Sequence, residues 1–188
     1  MASALLSRGP LDRAPLPQGD RFGIRIAPRA ARFILRGSPA VAALVEPGFG
    51  AALPLQPRRT SQAAARAALW LGPDEWLLIA EGETADSLGP TLESALAAEP
   101  HSLVDVSGRQ IGLELEGPLA ALALNAGCPL DLGLAAFPVG EATRTMLSKA
   151  EIVLWRKAPQ QFRVEVWRSF ADYAVTFLAE AARRAPPP

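Results

Sequence analysis

Few residues in this chain could carry chemistry. There is one histidine, His101, one cysteine, Cys128, and two lysines, Lys149 and Lys157. Nucleophilic catalysis needs an activated thiol or hydroxyl with a base in reach. Cys128 follows a predicted helix at Gly127-Cys128-Pro129, the position of a packed loop residue, and reads as a buried inert thiol rather than half of a Cys128–His101 dyad. His101 follows Pro100 at a strand entry and reads as a structural turn residue. One His and one Cys do not make a zinc site of ordinary ligand count. Gly48-Phe49-Gly50 begins a G-x-G, but Leu53 stands where a third glycine belongs, in a loop after a helix. That is the wrong context for cradling a pyrophosphate. The four Trp lie in or directly against strand-like apolar stretches, so Trp155 and Trp167 read as packing residues rather than base-stacking platforms.

The elements that would position these groups follow from periodicity. Phe22, Ile24 and Ile26 alternate with Gly23, Arg25 and Ala27, the mark of a strand with one buried face. Arg32 to Arg36 is a second strand. Ser38-Pro39 reads as N-cap and N1 of a helix to Val45, closed by Pro47-Gly48. A Pro/Gly-rich loop runs to Ser61. Leu69–Trp70 and Trp76–Ala80 are strands joined at Gly72-Pro73-Asp74, followed by a helix over Thr91–Ala98 with Leu92, Ala95 and Leu96 on one face. The second half has strands at Leu103–Val106 and Ile111–Leu115. A helix then opens at Gly117-Pro118 with Leu119, Leu122, Ala123 and Ala126 on one stripe, and Gly127 stops it. Thr143–Leu147, Glu151–Trp155 and Phe162–Trp167 are strand-like. The last helix starts at Ser169, with Asp172 completing a capping box.

The halves repeat each other. Arg36-Gly37-Ser38-Pro39 through Leu44 and Gly48 parallels Glu116-Gly117-Pro118-Leu119 through Leu124 and Gly127. Leu69-Trp70, turn, Trp76 and helix parallel Leu154-Trp155, turn, Phe162 and helix. The expected fold class is α+β, with duplicated strand-helix-strand-strand-helix lobes and mainly antiparallel sheets. Residues 1–21 read as an extended arm, and 22–185 as one domain of two pseudo-repeats, about 22–100 and 101–185.

Net charge is zero, which gives no reason to expect nucleic acid as a partner. The charge is uneven, however. Met1 to Arg36 holds seven Arg against Asp12 and Asp20, and Asp74 to Glu116 holds ten acidic residues against Arg109. Complementary patches on partner chains are one use of such asymmetry, and a solvated surface is the other. On the first reading the arm, with Arg8, Arg13 and Arg21, docks on an acidic partner surface. A lone cysteine excludes an intrachain disulfide, and no stretch reaches the eighteen or so apolar residues that span a bilayer. The expectation is a soluble cytoplasmic protein without membrane contact.

Particular residues carry a resemblance. Leu71-Gly72-Pro73-Asp74-Glu75-Trp76-Leu77-Leu78 resembles a segment of sarcosine oxidase γ subunits. So do the block from Asp105-Val106-Ser107 through Gly127-Cys128-Pro129-Leu130-Asp131-Leu132, the run Ala136-Phe137-Pro138-Val139-Gly140, Lys149 through Arg156, and Phe162 to Tyr173. The likeness spans roughly Arg21 to Ala182. More distantly the chain is similar to folate-dependent aminomethyltransferases of glycine cleavage, which have duplicated α+β lobes around a tetrahydrofolate site. Those enzymes carry a carboxylate pair on a strand beneath the pterin, and it corresponds here to Ala150-Glu151. Alanine can neither orient a cofactor nitrogen nor stabilise charge on it, which leaves Glu151 as a vestigial cofactor-site candidate.

The resemblance implies a subunit of a four-chain enzyme that oxidatively demethylates sarcosine to glycine, with formaldehyde or methylenetetrahydrofolate and hydrogen peroxide as the other products. It places FAD, FMN, NAD and tetrahydrofolate in larger subunits and zinc in the smallest. This chain is left without a cofactor, metal or catalytic residue of its own, in an assembly role beside the α, β and δ subunits. The alternative is a stand-alone folate-binding one-carbon transferase-like protein, and a third reading is a free-standing adaptor.

Overall fold

The computed structural model describes Leu11 and residues 15–185. Its elements run β1 (Gly23–Ile26), β2 (Ala30–Gly37), α1 (Val41–Phe49), β3 (Thr60–Ala63), β4 (Arg66–Gly72), β5 (Glu75–Glu81) and α2 (Ala85–Leu96). The second half continues with β6 (His101–Asp105), β7 (Gln110–Glu116), α3 (Ala120–Asn125), β8 (Ala142–Leu147), β9 (Ala150–Ala158) and β10 (Gln161–Trp167). A single 3₁₀ turn, Arg168–Phe170, leads into α4 (Ala171–Arg184).

The strands form two five-stranded sheets with the same internal order, β6-β2-β5-β4-β3 and β1-β7-β10-β9-β8. Every pairing is antiparallel. The duplication expected from the sequence is therefore present, with one exchange. β1 leads the first half but pairs with β7 of the second, and β6 leads the second half but pairs with β2 of the first. Each half thus lends its first strand to the other's sheet.

Side-chain alternation builds four layers. On β5, Trp76, Leu78 and Ala80 pack under α1 and α2 with Phe33, Leu35, Val45, Phe49, Leu88 and Leu92. On β9 and β10, Ile152, Leu154, Phe162, Val164 and Val166 pack under α3 and α4. The opposite faces of both sheets meet in the middle, where Leu69, Leu77, Ile79, Val153 and Trp155 form a third cluster. A strand buried on both faces reads as a continuous apolar run, and Trp76 to Ala80 is one.

Several boundaries differ from the sequence expectation. α1 begins at Val41 behind Ala40, not at Ser38-Pro39, and runs through Pro47 to Phe49 before Gly50 closes it at φ 76°. α2 starts at Ala85, contains Pro90, and opens on a capping box in which Thr84 Oγ1 accepts from the Ser87 N–H. Leu88, Leu92 and Leu96 are its buried stripe, and sheet packing carries the helix through Pro90, six residues ahead of the expected start at Thr91. Strand β3 begins at the end of the expected loop and runs two residues past Ser61. In α3 the stripe turns: Leu124 is buried and Leu122 is exposed. Ser169 does not cap α4; it sits in the 3₁₀ turn, and Phe170 precedes the helix. Of the N-terminal arm, residues 1–10 and 12–14, with Arg8 and Arg13, lie outside the described residues. Leu11 is buried in the core beneath α3 and α4.

Candidate functional site

The layer between the sheets holds the most concentrated chemistry. Phe162, Val164 and Val166 of β10 face the helices, so Arg163 and Glu165 must face the other sheet. There Glu165, 1% exposed, receives Arg32 Nε at 2.7 Å from β2 and Arg163 Nε at 2.7 Å. Arg163 Nη1 also binds Glu81 of β5. Arg32 donates further to the Ala30 carbonyl at 3.1 Å. Four charged residues from three strands thereby tie the two sheets together. Burial is the strongest single influence on the Glu165 carboxyl and pushes its pKa up, but Arg32 and Arg163 together bring it below the ordinary carboxylate value. Burial also pulls on Arg163, yet Glu165 and Glu81 raise it above the ordinary arginine value. Each charged group of the network faces one of opposite sign, as a buried cluster of this kind requires.

The Asp105-Val106-Ser107 segment carries the chain from one sheet to the other. Asp105 Oδ1 accepts from the Ser107 N–H at 2.8 Å, and the Arg32 N–H donates to Ser107 Oγ at 2.8 Å. The Val106 N–H donates to the Arg32 carbonyl at 2.8 Å. This crossover and the β1–β2 connection border a cleft of about 430 Å³ lined by Arg32, Glu83, Thr84, Asp105, Ser107 and Gln110 among others. Gln110 is buried, and its Oε1 has no hydrogen-bond partner among the described residues.

Glu151 lies elsewhere. Ala150 is fully buried under α3 and α4, whereas the Glu151 side chain is 55% exposed, with Arg144 Nε 3.8 Å away. Arg144 in turn holds Glu75 at 2.6 Å, so Glu151 is the outer member of a three-residue surface cluster joining β8 and β9 to the start of β5. His101 and Cys128 are not brought together. His101 Nδ1 contacts the Glu99 carbonyl at 2.8 Å and Nε2 contacts Glu93 of α2 at 3.0 Å. Cys128 lies in the α3/α4 core, with its Sγ 3.8 Å from Thr145 Oγ1. Among the described residues no group of three or more His, Cys, Asp or Glu could hold a metal ion. Gly48-Phe49-Gly50 spans the end of α1, where Phe49 is core and Gly50 the helix stop. Trp155 packs between the sheets, while Trp167 is 41% exposed beneath the Arg109 guanidinium, 5.1 Å from its ring centroid.

The remaining motifs are structural. In Leu71–Leu78, Asp74 pairs with Arg36 at 2.8 Å, Glu75 pairs with Arg144, and Trp76 Nε1 donates to the Pro54 carbonyl at 2.8 Å. At Gly127 a Cβ would come within 2.7 Å of the Phe177 ring, so only glycine lets α4 approach. Arg156 is buried against carbonyls of Pro159 and Leu132 and stacks 4.4 Å from the Phe162 ring centroid. Burial pushes its pKa down. Part of the uneven charge of the sequence is paired within the molecule. Arg25 pairs with Glu114 and Glu116, Arg32 with Glu165, Arg36 with Asp74, Arg66 with Glu83 and Arg163 with Glu81.

Sequence reasoning missed the central network. Gln161 to Trp167 alternates polar and apolar residues, which reads as a strand with one solvated face. The signal that could have found it is the complementary pattern in two strands: Arg32 stands in an otherwise apolar β2, and Arg163 and Glu165 alternate with core residues in β10.

Two helix-clad sheets with duplicated halves define an aminomethyltransferase-type fold. The glycine cleavage system aminomethyltransferase T from Bartonella henselae shares it, with a TM-score of 0.65 and 15% identity over 87% of this chain and 49% of that one. The model of the sarcosine oxidase gamma subunit family matches residues 36–184. The sarcosine oxidase subunit gamma of Corynebacterium sp. (strain U-96) is 37% identical over 161 residues, covering 86% of this chain and 74% of the relative. That of an Arthrobacter species is 38% identical over 163 residues, with the same coverage. A chain of the heterotetrameric sarcosine oxidase from Corynebacterium sp. U-96 superimposes with a TM-score of 0.86 at 33% identity, over 97% of this chain and 99% of that one. The chain belongs to the sarcosine oxidase gamma subunit family.

Proposed function

We propose that this chain is the γ subunit of a heterotetrameric sarcosine oxidase, assembling with α, β and δ subunits in the cytoplasm. Its role is to support the larger chains while they hold FAD, FMN, NAD and tetrahydrofolate and the smallest chain holds zinc. The complex oxidatively demethylates sarcosine to glycine, and the one-carbon unit leaves as formaldehyde or on tetrahydrofolate, with hydrogen peroxide formed from oxygen.

The observation that carries this reading is the end-to-end superposition on a chain of a heterotetrameric sarcosine oxidase. Two features support the assembly role. The space between the sheets, where two lobes meet, is filled by side chains that bind one another. An apolar groove of about 690 Å³ between α3 and α4, with Leu122, Tyr173, Phe177 and Ala181, offers a face of the kind that subunits bury. No helix among the described residues is long and apolar enough to cross a membrane.

The test is co-expression with the other three subunits. Omitting this chain should abolish recovery of an intact, sarcosine-oxidising complex. Tetrahydrofolate added to the purified chain should leave its tryptophan fluorescence unchanged. Saturable quenching would favour the transferase reading.

A further inference from the structure

Two sheets present four edge strands, and a row of unused backbone N–H and C=O groups on an edge is a template for another chain. Three of these edges are at least partly covered. The registers of β1 point Ile24 outward, and its N–H donates to the Pro17 carbonyl at 2.9 Å while its carbonyl accepts from Gln18 Nε2 at 3.0 Å. β3 and β8 close on each other: the Thr60 N–H donates to the Gly140 carbonyl at 3.1 Å, the Ala142 N–H donates to the Arg58 carbonyl at 2.7 Å, and Arg59 bridges Glu141.

The fourth edge, β6, differs. Its pairing with β2 has Val106 bonded to Arg32, so Val104 and Ser102 bond inward, and the backbone groups of His101, Leu103 and Asp105 face out. None of these outward backbone groups has a backbone partner among the described residues. Val104 is 50% exposed on this strand. The border is acidic, with Glu99 just before the strand and Asp105 exposed at its end, while Glu93 of α2 contacts His101 Nε2 at 3.0 Å.

We infer that β6 receives an extended, basic segment of a partner subunit by strand addition. Its backbone bonds to Leu103 and Asp105, an apolar side chain covers Val104, and its Lys or Arg residues face Glu99 and Asp105. This rests on the proposed place in a multi-subunit complex.

Hydrogen exchange in the intact complex, read by mass spectrometry on peptides spanning 101–105, is the direct test. The Leu103 and Asp105 amides should exchange at least 100-fold more slowly in the complex than in the isolated chain. Complex that purifies intact but leaves both amides exchanging as in the isolated chain overturns the inference and leaves the subunit reading standing. Equal protection in the chain alone would assign the edge to a second copy or to the chain's own arm, and would overturn it too. Val104→Lys, exposed and on the edge, should lower co-purified partner at least tenfold with far-UV circular dichroism unchanged. Arg25→Gln on the covered β1 edge should not lower it.

Discussion

The outer faces of the two sheets and the layer between them are built by opposite rules. Under α1 and α2, and under α3 and α4, the contacts are almost entirely apolar, with Arg156 stacked on Phe162 as a buried charged exception, and one aliphatic residue can stand for another of similar volume. Between the sheets, apolar residues including Trp155 surround four charged side chains whose geometry must be right or the charges stand unpaired. The outer layers supply most of the burial. The middle layer ties one half to the other by charge, alongside the exchanged first strands and the backbone bonds between β3 and β8.

The sharpest way to break this contrast is Glu165→Ala, which leaves Arg32 in the interior without a carboxylate and Arg163 with Glu81 alone. Breaking one partner of a buried pair costs about 3–5 kcal/mol, and urea unfolding should show a loss of that size. The companion triple variant Arg32→Met, Arg163→Met, Glu165→Leu should recover most of it. If the triple variant is as unstable as the single one, the network is not what the loss measures. The same carboxyl predicts a pH dependence. Its folded pKa lies below the unfolded one, so its contribution is complete above the unfolded value and is lost as pH falls through the folded value. Stability should therefore decline on acidification, and Glu165→Gln should flatten that decline.

For the outer layers, Leu78→Ala and Leu154→Ala remove fully buried side chains and should each cost about 2–5 kcal/mol. Replacing either by Met should cost less than about 1.5 kcal/mol, the tolerance that the charged layer lacks. Gly127→Ala pushes a methyl group against Phe177 and should cost about 1–3 kcal/mol by thermal melting. The smallest effect belongs to Glu151→Gln, which loosens one exposed contact to Arg144 and should change stability by less than about 1 kcal/mol.

The outer layers were also the legible part. Trp76 to Ala80, Ile152 to Trp155 and the stripe through Ala174 and Leu178 announce buried strands and an amphipathic helix by local pattern alone. Pro47 and Pro90 misled because each forfeits one helical hydrogen bond while packing on the sheet holds the helix together. The exchange of β1 and β6 is a long-range pairing between strands whose own patterns would suit either sheet. Arg163 and Glu165 looked solvated because alternation reports two faces without saying what covers the second. Glu151 was found only through likeness to another family, and it sits on the surface.

Affinity purification of the tagged chain from its own host grown on sarcosine decides whether it is part of a multi-subunit sarcosine oxidase. As a subunit of such a complex the chain should give a yellow eluate with flavin absorption, containing a large dinucleotide-binding chain, a flavoprotein chain and a small zinc chain in equal amounts with this one. A colourless eluate holding this chain alone would contradict it.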